Sequence, residues 1–167
     1  PPEEPGEFGE PFPDDDRLGL ILVCCHPALS PEGRVALTLR EVCGLTTEEI
    51  AHAFLVPATT IYQRIVRAKT KIRDERISYE IPDREAWPER MAGVLSVVYL
   101  LFNEGYLASS GSAIVRPKLS EEAIRLTRLL ANLVEEPEVM GLLALMLFQD
   151  SRVKARTAKD EITLLDD

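Results

Sequence analysis

The chain has 167 residues, 28 acidic against 19 basic, a formal net charge of −9 and 46% apolar content, enough to bury a core and to exclude disorder throughout. Its longest near-continuous apolar stretches, Val94–Phe102 and Val139–Phe148, fall short of the ~20 residues of a membrane helix. With no leader segment and three cysteines that do not make a disulfide framework, a soluble cytoplasmic protein is expected, and the net charge of −9 argues at face value against nucleic acid.

Residues 1–16 hold seven acids, no Lys or Arg, five prolines and two glycines. This is the composition of a linker or tail that cannot fold alone. The chain opens Pro-Pro without an initiator Met, so a piece cut from something longer is expected, with processing or a trimmed tag as the alternatives. After Asp16, a candidate N-cap, the apolar Leu18, Ile21, Leu22 and Cys25 fall at i, i+3, i+4 and i+7 and predict a helix with one buried stripe. His26-Pro27 ends it. Ser30 followed by Pro31 predicts the next helix start, with proline where its missing N–H costs nothing. That helix runs through Val35, Leu39 and Val42 to Gly44.

Thr46-Thr47-Glu48-Glu49 is a capping box, flanked by Leu45 and Ile50 in staple positions. A short helix over Thr47–Phe54 follows, then only Leu55-Val56-Pro57 before the next, so the two helices meet at a sharp angle. In this next helix Ile61, Ile65, Ala68 and Ile72 make the buried stripe, and Thr60, Gln63, Arg64, Arg67 and Lys71 are assigned to the opposite side. Ala58–Arg73 carries five cations (Arg64, Arg67, Lys69, Lys71, Arg73) and no acid. Residues 17–76 thus hold nine basic against six acidic side chains, although the chain as a whole is acidic. Hydroxyl and amide groups near a helix N-terminus can read base edges, Gln favouring adenine and Arg guanine, and later cations can hold phosphates. A solvated helix face is the plain alternative, but capping box, short turn and one-sided cationic helix agree on a DNA-binding helix-turn-helix.

Ile81-Pro82-Asp83 predicts a short linker. Pro88 then starts a helix with Met91, Val94, Leu95, Val98 and Leu101 on one stripe; Ser120 is the expected cap of another, through Leu126, Leu130 and Leu133. Pro137 starts a third that is apolar nearly all round and is expected to be the central helix of this part. Residues 77–167 carry ten basic and fifteen acidic side chains. Ile162-Thr163-Leu164-Leu165-Asp166-Asp167 suggests a strand.

The stretches Leu45–Ala51 and Thr60–Lys69 resemble the promoter-reading C-terminal domain of bacterial sigma factors, more narrowly the extracytoplasmic-function type. Asp15–Leu18, Cys24–Leu29 and Ala53–Pro57 are similar to a subgroup that carries a helical, TPR-like extension. Leu101–Tyr106, Glu122–Leu126 and Glu138–Leu147 look like the start of that extension. The resemblance implies an all-α protein: a helix-turn-helix domain of the winged-helix-like, sigma region 4 type, then a helical TPR-like domain with a short β element at the C-terminus. The implied division is an acidic linker 1–16, the DNA-binding domain 17–76, a linker 77–87 and a truncated extension 88–167. It further implies that Thr59, Thr60, Gln63, Arg64 and Arg67 face the −35 promoter element, with Lys71 alongside, while the domain docks on the flap of RNA polymerase core. The −10 and core-binding domain would precede this sequence. Pro57 departs from the pattern, standing where such domains often have a Ser N-cap.

Cys24, Cys25 and His26 are adjacent, but no second cluster offers the remaining ligands for zinc; buried thiols are expected, with redox sensing the lesser alternative. His52 is expected at the surface or near phosphate, and Asn103-Glu104-Gly105-Tyr106 to terminate a helix. With no Ser/His/Asp set, phosphate loop or catalytic dyad, the expectation is no enzyme, no cofactor and no metal. The function expected is a sigma-factor fragment reading the −35 element, its extension regulating it or forming a homodimer. The alternatives are a stand-alone helix-turn-helix regulator with a ligand-binding or dimerisation domain, or a module whose basic helix docks on an acidic protein. Binding without polymerase is expected to be weak, because acidic segments flank the basic one.

Overall fold

The computed structural model describes residues 15–109, 115–153, 157–158 and 161–162, and among these residues it has seven α-helices and one short β-hairpin. The helices are α1 Asp16–Cys24, α2 Pro31–Glu41, α3 Thr47–Phe54, α4 Ala58–Asp74, α5 Pro88–Tyr106, α6 Pro117–Leu133 and α7 Pro137–Ser151; a 3-10 turn, Arg84–Ala86, precedes α5. The hairpin pairs β1 Thr157–Ala158 with β2 Glu161–Ile162 antiparallel. Of the expected C-terminal strand, Ile162 lies in β2, and Thr163–Asp167 fall outside the described residues. Most of the acidic leader, residues 1–14, also lies outside them.

The starts of the first helices are set locally. Asp15, not Asp16, caps α1: its Oδ1 accepts the Leu18 N–H at 2.9 Å, and Asp16 is the first helical residue. Ser30 Oγ accepts from Gly33 N with Pro31 in the first turn of α2. The capping box of α3 is complete, Thr46 Oγ1 accepting from Glu49 N at 3.1 Å and Glu49 Oε2 accepting from Thr46 N at 2.9 Å. Ser120 is not the cap expected of α6. The helix begins earlier, at Pro117, and the Ser120 hydroxyl donates back to the Pro117 carbonyl within the first turn.

One apolar core runs from α1 to α7, with Leu18, Ile21, Leu22, Leu39, Ile50, Ile61, Val94, Leu101, Leu126, Leu130 and Met146 at or near complete burial. Its central helix is α5, packed on α1, α2, α3, α6 and α7. Gly93 lets α5 approach α1, since a Cβ there would lie 3.2 Å from Cys25 Sγ. Arg90, buried on α5, donates through Nη1 to the carbonyls of Leu22 (2.8 Å) and Val23 (3.3 Å), satisfying acceptors at the end of α1 that the helix leaves open. Trp87 is buried and donates to the Pro82 carbonyl at 3.0 Å.

The central position assigned to α7 is corrected. Only Val139 and Met146 of that helix are buried, while Met140, Leu145, Leu147 and Phe148 stand exposed. An all-round apolar sequence permits central burial but does not supply the neighbours for it; among the described residues α7 packs chiefly on α6 and α5. Asn103–Tyr106 does close α5, with Leu107 as C-cap. Gly105, however, is buried within the helix, where a Cβ would collide with the backbone N of Ser120, so its small size serves the contact with α6.

Candidate nucleic-acid interface

Helices α3 and α4 are joined by Leu55, Val56 and Pro57, and the reversal depends on Leu55, which adopts φ 55°, ψ 41°. A left-handed residue other than glycine costs about 1 kcal/mol, and here its N–H closes the end of α3 on the carbonyls of Ala51 and His52. Leu55 leaves its side chain 88% exposed. Pro57 then sets the start of α4 with no side-chain cap.

Helix α4 packs against α2 and α3 through Ile61, Ile65, Ala68 and Ile72, all buried. At about 100° per residue, the side directly opposite carries Thr59, Gln63 and Thr70, with Val66 and Arg67 beside them. Thr59, Gln63, Val66 and Arg67 are exposed and Thr70 is partly so. The sequence-expected residues therefore divide. Thr59, Gln63 and Arg67 point outward; Thr60 and Arg64 are half-buried on the flank towards α3; Lys71, exposed, lies on that same flank.

Arg64 is held: its guanidinium lies 5.5 Å from the centre of the Phe54 ring on α3, and Nη1 is enclosed without a hydrogen-bond partner. The cationic stretch is also less bare than its composition suggests. Lys69 pairs with Glu41 at 2.7 Å, Lys71 with Glu75 at 3.6 Å and Arg73 with Asp74 at 3.0 Å. Among the described residues Arg67 makes no ion pair, so Arg64 and Arg67 are the cations of α4 left to a partner anion.

Three residues outside the sequence-expected set also stand on this side of α4. Val66 (42% exposed) and Tyr62 (65% exposed) share the outer surface of α4, as does Thr70. Counting from Thr59 in steps of three and four would have reached the first two, as positions 59, 62, 63 and 66. Phe54, which fixes Arg64, belongs to the preceding helix and has no local signal.

The thiols lie at the end of α1 (Cys24, Cys25) and just after α2 (Cys43). Burial pushes Cys25 up to about 12, and its Sγ lies 3.8 Å from Thr38 Oγ1. Cys43 is likewise pushed to about 12 by burial, and Cys24 is raised by burial and by Glu41. His26 Nδ1 accepts the Ala28 N–H at 3.1 Å within a turn, and burial, with Arg90 adding to it, lowers its pKa. His52 is exposed on α3. Among the described residues no group of three His, Cys, Asp or Glu side chains is placed to hold a metal ion, and no helix is long and apolar enough to cross a membrane.

The fold and this exposed face define a helix-turn-helix. Residues 19–72 match the family described as sigma-70, region 4, so this part of the chain is similar to that of a sigma factor. Residues 90–167 match a family of unknown function, DUF6596. An uncharacterized protein of Rhizobium meliloti (strain 1021) is 48% identical over 155 residues, covering 92% of this chain and 37% of that protein. The chain thus spans little more than a third of the length of this curated relative. No solved structure matches it.

Proposed function

We propose that the chain is part of an RNA polymerase sigma factor of the extracytoplasmic-function type that reads the −35 promoter element through α4 while docked on the polymerase flap. Thr59, Gln63 and Arg67 read bases or hold phosphates, Thr60 and Arg64 contact the duplex from the α3 flank, and Lys71 meets the backbone further along. The helices from Pro88 onward are the TPR-like extension, which regulates promoter engagement. The observation that carries this reading is the outward face of α4, with exposed Thr59 and Gln63 and an Arg67 that makes no ion pair among the described residues, in the stretch that matches sigma-70 region 4.

Fluorescence anisotropy of the chain with a −35 duplex and a scrambled duplex, at low salt and across a salt series, tests it. Phosphate contacts make log K fall with log salt by about 0.9 per neutralised phosphate. Arg67→Ala is expected to weaken both duplexes and to reduce that slope by about 1. Gln63→Ala is expected to lose about 1–3 kcal/mol on the −35 duplex alone. Binding indifferent to sequence and to both substitutions would refute the assignment.

A further inference from the structure

We infer that Val66 is a specificity-determining residue of this interface: it reads the C5-methyl group of a thymine adjacent to the adenine read by Gln63. This rests on the reading of α4 as the DNA-contacting helix and names what that helix selects.

Val66 is the one aliphatic side chain on the outer side of α4, about 50° from the line directly opposite the buried stripe, with Gln63 one turn before it and Thr70 one turn after. It is 42% exposed, while the apolar residues of the opposite stripe are at most 8% exposed. Its neighbour in sequence, Ile65, is 7% exposed and supplies the core at this level of the helix, whereas Val66 is not among the residues packed on the core cluster. A β-branched side chain is also a poor helix former compared with the Lys, Gln or Glu that a solvent-facing position accepts.

The major groove presents one apolar group, the thymine methyl, and small aliphatic side chains are its partners. Gln63 and Val66 are three residues apart, which is about 4.5 Å along the axis of α4. Successive bases on one strand rise by about 3.4 Å. A glutamine that bonds adenine N6 and N7 therefore places the Val66 methyls over the neighbouring base pair. Residues spaced as Thr59, Gln63 and Val66 are (0, 4 and 7) fall on one face, the spacing by which a recognition helix reaches successive bases. Arg67, beside Val66, can hold the phosphate of the same step.

The experiment selects duplexes from a randomised pool with the full chain, then replaces each thymine of the enriched sequence by deoxyuridine, which lacks only the methyl. One replacement, next to the adenine whose binding is lost in Gln63→Ala, is expected to weaken the wild type about 3–10-fold. Val66→Ala should bind the thymine duplex as weakly as the wild type binds the deoxyuridine duplex, with no further loss when the two changes are combined. Val66→Thr, which keeps one methyl, should retain most of the discrimination. If a Gln63-dependent duplex is enriched and deoxyuridine is silent at every position, or Val66→Ala discriminates as the wild type does, the role of Val66 is overturned and the DNA-reading assignment stands. If no sequence is enriched, both fall.

Discussion

At Gly105 an added Cβ would strike the backbone N of Ser120 and come within 3.0 Å of the Arg116 carbonyl. Those are main-chain atoms at the start of α6 and cannot swing aside as a flexible side chain could. At Gly141 on α7 the same Cβ would meet nothing within 4 Å. Alanine in a helix gains about 1 kcal/mol over glycine, and that gain survives only where there is room. Gly141→Ala is accordingly expected to raise stability by up to ~1 kcal/mol. Gly105→Ala should lower it by about 2 kcal/mol or more, because overpacking outweighs propensity. Urea unfolding followed by circular dichroism measures both. Equal midpoints for the two variants would mean that α5 and α6 do not lie as close as Gly105 allows.

Between elements, the carboxylate of Glu49 has two tasks. Oε2 completes the capping box of α3, and Oε1 accepts from Arg116 Nη1 at 2.7 Å across 67 residues of chain. Arg116, the N-cap residue of α6, also reaches Glu104 Oε1 of α5 at 3.4 Å, and both carboxylates belong to residues only 5% exposed. Arg116→Ala removes a guanidinium from two buried acids and is expected to cost about 2 kcal/mol in urea unfolding. Thr46→Ala, which removes the hydroxyl of the cap, should cost about 1 kcal/mol. If Arg116→Ala leaves the midpoint unchanged, the node contributes nothing to holding α3 against α5 and α6. The contrast between the two sites also marks what could be read in advance. Ser30 with Pro31 and Thr46 with Glu49 are cues three residues apart or less, carried by local hydrogen bonds, and the helix starts follow from them. Glu49 with Arg116, and Arg64 with Phe54, depend on which helices meet, and no periodicity reports that. For the same reason α7 was expected at the centre, since its composition describes what it could bury and not who stands beside it. At the interface the stripe Ile61, Ile65, Ala68 and Ile72 was legible because the helical period alone generates it. The polar side was drawn too wide because residue type was followed: Thr60 and Arg64 are half-buried on the α3 flank, while the exposed Val66 was passed over as apolar.

Over the whole molecule, the helix-turn-helix and the helices after it are joined at points far apart in the chain. Arg90 binds the end of α1, Arg116 binds α3, and a cluster of four charges ties the start of α1 to α6. In that cluster Arg125 reaches Asp15 at 2.6 Å and takes Glu122 through two hydrogen bonds at 2.7 Å, while Arg17 meets Glu122 at 3.0 Å. The Arg125 hydrogen bond, with the nearby Arg17 charge adding to it, holds Glu122 below its ordinary 4.5 against the opposing effect of burial. For Asp15, burial alone would raise the pKa, but the hydrogen bonds from Arg125 and the Leu18 N–H outweigh it and bring the group below 3.8. Both acids thus lose their protons more readily folded than unfolded. Their contribution is complete above the ordinary values of 3.8 and 4.5 and is lost as the pH falls through the lower folded values. Arg125 is nearly half exposed, so solvent screening keeps the effect to the order of 1 kcal/mol. His26 works in a separate window: its lowered pKa makes the folded state bind fewer protons, so stability falls as the pH drops through 6.5. The clamp is therefore measured as the difference between wild type and Arg125→Ala in urea unfolding at a series of pH values, in which His26 cancels. That difference should be constant from pH 7 to 5 and shrink towards zero in stronger acid, disappearing sooner as salt is added. A difference that stays the same into strong acid would show that Arg125 acts through its aliphatic stem and not through the two carboxylates. Stability that depends on these charges would also fix how α4 is presented. The clamp, Arg90 and Arg116 tie α1 and α3 to α5 and α6, and α4 is carried on α2 and α3.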